Sequence, residues 1–244
     1  MDAFRAAVAW LFDGTNWSEN DGLAQQLVEQ VLLTLTSLGI AAAVALPLAL
    51  WLGHLGRGGI LAVNVSNIGR AVPTFAVLVL LSVGPLGSDR LGPYGRAGLA
   101  TLVSLMLFAL PPIITNAYVG MREIDREIVE AARGMGMTGW ELFRRVELPL
   151  ALPLILTGLR LALVQVWATA TIAALVAGPG LGNTIAAGFD NNDSDRVIGG
   201  AIVVALIALA MEGAAALVER QVDPVRRARR VSVRRTPAAE ALAA

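Results

Sequence analysis

Cysteine is absent from all 244 residues, which excludes disulfides, thiol nucleophiles and cysteine-based metal sites. Lysine is absent too, so all 19 basic residues are arginine. A Walker A phosphate loop requires its lysine, and so does Schiff-base chemistry. Any ATP that powers this protein is therefore bound by another polypeptide. Histidine occurs once, as His54, just after an apolar segment. It reads as a solvated interfacial side chain, not as a metal ligand or proton relay. Charge is scarce as well: 16% of residues, against roughly 25% in ordinary soluble domains.

What fills the chain instead is apolar. Hydrophobic residues make up 56% and the mean hydropathy is +0.65, the composition of a membrane protein. About twenty apolar residues in a helix cross roughly 30 Å of hydrocarbon. Five segments are long enough, at 28–52, 61–83, 97–121, 150–177 and 197–218. The second is the weakest, because Asn64, Ser66, Asn67 and Arg70 make its first half polar. The expected fold class is all-α and polytopic.

Arginine placement sets the direction of insertion. Arg57, Arg122, Arg126, Arg133, Arg144, Arg145 and the tail from Arg220 to Arg235 fall on one side. Only Arg5, Arg90, Arg96 and Arg196 fall on the other. The loop 122–149 and the C-terminus are therefore expected in the cytoplasm, and five spans put the N-terminus outside. Residues 1–25 form an extracellular segment without a convincing signal-peptide cleavage site, in which Phe4 to Phe12 makes an interfacial helix with Trp10, Phe12 and Trp17 as anchors. Residues 26–219 form the membrane domain. Residues 220–244 form a basic, partly disordered tail that faces anionic lipid and not nucleic acid.

The loop 122–149 is a polar helical hairpin. An acidic–basic helix from Arg122 to Arg133 stops at Gly134 and Gly136, and Thr138 with Glu141 three residues later forms a capping box that starts a second helix. Pro149 is expected to close that helix before the next span. Trp140, Leu142 and Phe143 put apolar side chains on its surface, as a docking face for a partner does.

Glu130-Ala131-Ala132, then Gly136, then Val146, Leu148 and Pro149 resemble the EAA loop of ATP-binding cassette (ABC) importer permeases. The one departure is Val146, where the family more often has isoleucine. Ala71-Val72-Pro73-Thr74, Leu110 to Gly120, Val146 to Pro153 and Gly178-Pro179-Gly180-Leu181-Gly182 resemble its glycine betaine, choline and carnitine branch. The resemblance covers roughly Gln26 to Glu219. It implies the five-helix type I importer permease fold and a place in the bacterial cell membrane. It also implies a second permease (a copy or a sister chain), two cytoplasmic ATPases that hold ATP and Mg, and an extracellular substrate-binding protein. The chain itself would hold no cofactor and no metal and would not be an enzyme. Glu130, Ala131, Ala132, Gly136, Thr138, Trp140, Glu141, Phe143, Val146, Leu148 and Pro149 would form the ATPase-coupling loop.

Pro73, Pro111 and Pro112 are expected to break helices inside the membrane, either for packing or to expose carbonyls along a polar path. Thr74, Asn116, Tyr118 and Trp167 are the candidate path residues beside them, although a membrane tryptophan such as Trp167 is more often a packing residue. Gly178, Gly180, Leu181 and Gly182 are either a tight turn or an external gate. Arg70, Arg160 and Glu212 are charges in or near spans; Glu212 either pairs with one of the arginines or, in a rival reading, couples an ion in a secondary carrier. Within the importer class, an amino-acid or methionine permease is the alternative.

Overall fold

The computed structural model describes residues 2–18, 21–59, 64, 69, 71–88, 94–95 and 97–222. The tail beyond 222, Arg70, Arg90 and Arg96 lie outside the described residues. Among the described residues every regular element is helical.

Two short helices lead the chain, α1 (Asp2–Phe12) and α2 (Thr15–Ser18), followed by the long α3 (Leu23–His54). On α3, Ala41, Ala45 and Ala49 recur at helical spacing and are fully buried, while Val28, Leu35, Val44 and Trp51 on its other faces are more than half exposed. A helix that is apolar on its exposed face as well as its buried one belongs in lipid. α4 (Thr74–Val83) follows an extended Pro73. It is the later half of the segment expected at 61–83; most of the earlier half lies outside the described residues.

α5 (Gly98–Arg122) is the centre of the bundle, packed between α3 and α8 (Leu148–Ile172). The approach to α8 is close. A Cβ on Gly158 would fall 2.7 Å from Asn116 Cβ and 2.9 Å from the Pro112 carbonyl. Small residues let membrane helices pack this tightly. The break expected at Pro111–Pro112 does not occur: α5 runs through both prolines. Only two amide donors are lost to proline, and packing on both sides keeps the segment helical.

Between α5 and α8 lies the polar hairpin, with α6 (Arg126–Gly134) and α7 (Gly139–Leu142). Beyond α8, a 3₁₀ turn (Ala173–Val176) precedes α9 (Gly182–Asp190) and α10 (Ser194–Val222). Leu23–His54, Gly98–Arg122, Gly139–Val176 and Ser194–Val222 are the four helices, among the described residues, long and apolar enough to cross a membrane.

Two cores result. The larger joins α3, α5 and α8 through residues such as Leu33, Leu105, Ile113, Ile155 and Val166. The smaller, at the end away from the hairpin, joins Leu23, Trp167, Leu181 and Val203. Trp10 and Trp17 pack against this second core, while Phe12 is 86% exposed. Of the three aromatics expected at the interface, only Phe12 points outward.

Candidate functional site

The hairpin is assembled from local rules. Asp125 caps α6 by accepting from the Glu127 amide at 2.9 Å. The helix ends in a Schellman motif: the Met137 amide donates to the Ala132 carbonyl and the Gly136 amide to that of Arg133. This closure requires the left-handed conformation at Gly136, whose φ is +82°. Nothing lies within 4 Å of where its Cβ would stand, so glycine is there for its backbone and not for space. Thr138 then caps α7. Its amide donates to Glu141 Oε2 at 3.1 Å and its hydroxyl accepts from the Glu141 amide at 3.3 Å. The backbone and side-chain hydrogen bonds from Thr138, in that order, hold the Glu141 carboxyl below its usual range, with a smaller contribution from Arg145.

Pro149 does not close the second helix. α7 continues through a π-turn (Phe143–Glu147) into α8 without interruption. Pro149 occupies the first turn of α8, and the Leu148 amide reaches five residues back to the Phe143 carbonyl. The wider turn absorbs the proline.

The π-turn also aims two side chains. Phe143 stacks on Trp140, with ring centroids 5.5 Å apart, and meets His54 edge-on at 5.7 Å. Glu147, only 6% exposed, receives His54 Nδ1 at 2.5 Å. His54 is therefore not the solvated residue expected; it ties the end of α3 to the start of α8. Of the three apolar residues expected on the docking face, Trp140 remains 67% exposed and Phe143 is half-buried, but Leu142 is buried. With Pro47, Leu50, Trp51 and Phe143, Trp140 borders an apolar groove of about 380 Å³. Behind it, Glu130 lines a polar pocket of about 230 Å³ with Arg122, Arg126 and Arg133. Of the other motif residues, Ala132 is buried, Ala131 exposed, and Val146 and Leu148 half-buried.

A cavity of about 860 Å³ opens among α5, α8 and α10. Pro111, Thr115 and Asn116 line it from α5, Arg160 and Gln165 from α8, and Glu212 from α10. Arg160 Nε donates to Glu212 Oε1 at 2.6 Å and Nη1 to Glu219 Oε2 at 3.1 Å. Of the candidate path residues, the structure brings Pro111 and Asn116 to this cavity. Pro73 and Thr74 sit at the start of α4, Tyr118 packs against the larger core, and Trp167 is 2% exposed, with Nε1 donating to the Val204 carbonyl at 3.2 Å.

The segment Gly178 to Gly182 is held by two glutamines that sequence reasoning missed. Gln30 Oε1 accepts from the Leu181 amide at 2.8 Å and Nε2 donates to Thr171 Oγ1 at 2.9 Å. Gln26 Oε1 accepts from the Thr184 amide and hydroxyl, at 3.2 and 2.8 Å. Gly178, Gly180, Leu181 and Gly182 are all buried, and Gly180 takes φ +115° against Gln30. The signal was available: two polar residues four apart, on one face of an apolar helix.

Fold and surface together define a polytopic helical component of the membrane, with a charged cavity between its spans and a capped polar hairpin at one end. Residues 36–224 match the model of the binding-protein-dependent transport system inner membrane components, and the chain belongs to that family. It is 31% identical, over 80% of its length and 86% of the relative's, to the glycine betaine/carnitine/choline transport system permease protein OpuCB of Bacillus subtilis (strain 168). It is 33% identical to the osmoprotectant import permease protein OsmY of Salmonella typhimurium, over 80% of this chain and 79% of that one. A chain of the MetNI methionine ABC transporter, solved in inward-facing conformations, shares the fold with a TM-score of 0.68 and 22% identity, covering 82% of this chain and 95% of its own. The chain is thus a multi-pass transport subunit of the cytoplasmic membrane, not an ion-coupled carrier built around Glu212.

Proposed function

We propose that the chain carries quaternary-ammonium osmoprotectants (glycine betaine, choline, carnitine or proline betaine) through the membrane as the permease of an ATP-driven importer. Two permeases, identical or sister chains, enclose the path, and the cavity of α5, α8 and α10 is this chain's share of it. The chain crosses the membrane five times, with Thr74–Val83 belonging to one of the spans, the N-terminus outside, and the hairpin and tail in the cytoplasm. Two ATPase subunits holding ATP and Mg grip the hairpin, and an external binding protein delivers the passenger. The observation that carries this reading is the exposed Trp140 stacked on Phe143 beside an apolar groove, on a helix continuous with a span. A push on α7 is therefore a push on α8. The relatives named for osmoprotectants support the choice of passenger.

Two experiments test it. In a host lacking its own osmoprotectant importers, the chain is co-expressed with its ATPase and binding protein and supplied with labelled betaine, choline, carnitine and methionine. Energy-dependent uptake of the quaternary amines is expected; uptake of methionine alone would overturn the passenger. Trp140→Ala removes an aromatic anchor whose loss costs on the order of 2 kcal/mol, so the ATPase should co-purify poorly. Recovery at the wild-type yield would move the docking site elsewhere.

A further inference from the structure

Arg160 lies about 15 Å along α8 from Leu150, where the fourth span is expected to begin, and its side chain reaches Glu219, just past the expected end of the last span. A charge within a span is costly and calls for a reason. One carboxylate would neutralise Arg160, yet two face it, Glu212 and Glu219. Among the described residues the cluster therefore holds two carboxylates to one guanidinium. Glu212 is also half satisfied: Oε1 takes Arg160, while Oε2 is enclosed without a hydrogen-bond partner among the described residues. Thr115 Oγ1, from another cavity-lining residue, is in the same condition. A pair kept for stability alone would bind both carboxylate oxygens and leave no net charge.

We propose that Glu212 receives the quaternary ammonium head of the passenger inside the cavity, while Glu219 keeps Arg160 neutralised. Such a head donates no hydrogen bonds. It is stabilised by negative charge beside apolar walls, here Glu212 with Leu161, Val164 and Leu209. As the head displaces the guanidinium from Glu212, Arg160 retains Glu219 and no charge is stranded. A passenger that also carries a carboxylate directs it away from Glu212, since Arg160 is already held by Glu219. A neutral molecule offers Glu212 nothing in return for Arg160 and is disfavoured. This inference rests on the reading of the cavity as the path, and it assigns Glu212 a role as a passenger contact rather than as a proton or ion relay.

The chain has no cysteine, so Ala168→Cys, on the cavity wall, gives a single reactive thiol in the assembled transporter. It is treated with methanethiosulfonate reagents that carry either a trimethylammonium or a sulfonate group, with rates normalised to a free thiol. The cationic reagent should be favoured on the order of tenfold. Adding Glu212→Gln, which keeps an oxygen for Arg160, should return the ratio to that of the free thiol; adding Arg160→Gln should raise it. Millimolar tetramethylammonium should slow labelling when Glu212 is present and not when it is replaced. An unchanged ratio in Glu212→Gln, or labelling that tetramethylammonium does not slow, overturns the proposal. Labelling does not depend on which compound is imported, so its outcome is separate from the uptake assay.

Discussion

Glu147 is a buried side chain that, among the described residues, is hydrogen-bonded to His54, ninety-three residues earlier in the chain. Removing one partner strands the other, and the loss is set by the group left behind rather than by the bond. His54→Leu should lower stability by about 2 kcal/mol. The double variant His54→Leu/Glu147→Leu should regain most of that, because it buries no charge. Thermal unfolding of the purified protein in detergent, read as a double-mutant cycle, measures the coupling. Additive losses would mean that the two residues act independently. Neither was legible in the sequence: a lone histidine at the end of an apolar run looks solvated until a second helix is known to pass beside it. Gln26 and Gln30 carried a signal in their spacing but not their partners, and of the Arg160 cluster the pairing with Glu212 was expected while that with Glu219 was not. Each belongs to a pairing between elements far apart in the chain, and only the packing of the bundle decides it.

At the scale of elements the sequence was clearer. The capping box of Thr138 and Glu141 and the stop at Gly136 were readable because each is satisfied within a few residues, whatever the rest of the molecule does. The prolines misled for the opposite reason. An isolated helix would break at Pro111–Pro112 and at Pro149; in the bundle, neighbouring helices keep the first segment helical and a π-turn accommodates the second. Gly136 provides a graded test. Since nothing crowds its Cβ position, substitutions there act through φ alone. Gly136→Asn should be nearly tolerated, Gly136→Ala should cost about 1 kcal/mol, and Gly136→Val should cost more. Retention of the ATPase by the purified permease should fall in the same order. If Asn, Ala and Val behave alike, the left-handed turn is not what positions α7.

For the molecule as a whole, orientation can be read with impermeant thiol reagents in intact cells. Ser194→Cys should label from outside and Ser232→Cys should not; the reverse pattern inverts the arrangement. The bracing of α3 against α8 bears on how the molecule moves. His54 joins Glu147 at one end and Gln30 joins Thr171 at the other, about 36 Å apart along α3. Two rails pinned at both ends form a truss, and a truss resists shear. α10 is tied to α8 by Arg160 at the cavity and by Trp167 beyond it, only about 10 Å apart along α8, so among the described residues its ties lie much closer together than those of α3. Relative sliding should therefore concentrate between α8 and α10. A short thiol crosslink from Leu161→Cys to Leu209→Cys, across the cavity, should arrest uptake, whereas one from Gln30→Cys to Thr171→Cys should spare most of it. If both arrest it equally, the truss bends. If only the first does, the hydrogen bonds that sequence reading overlooked divide this chain into a stiff frame and a moving panel, and the passenger crosses at the seam.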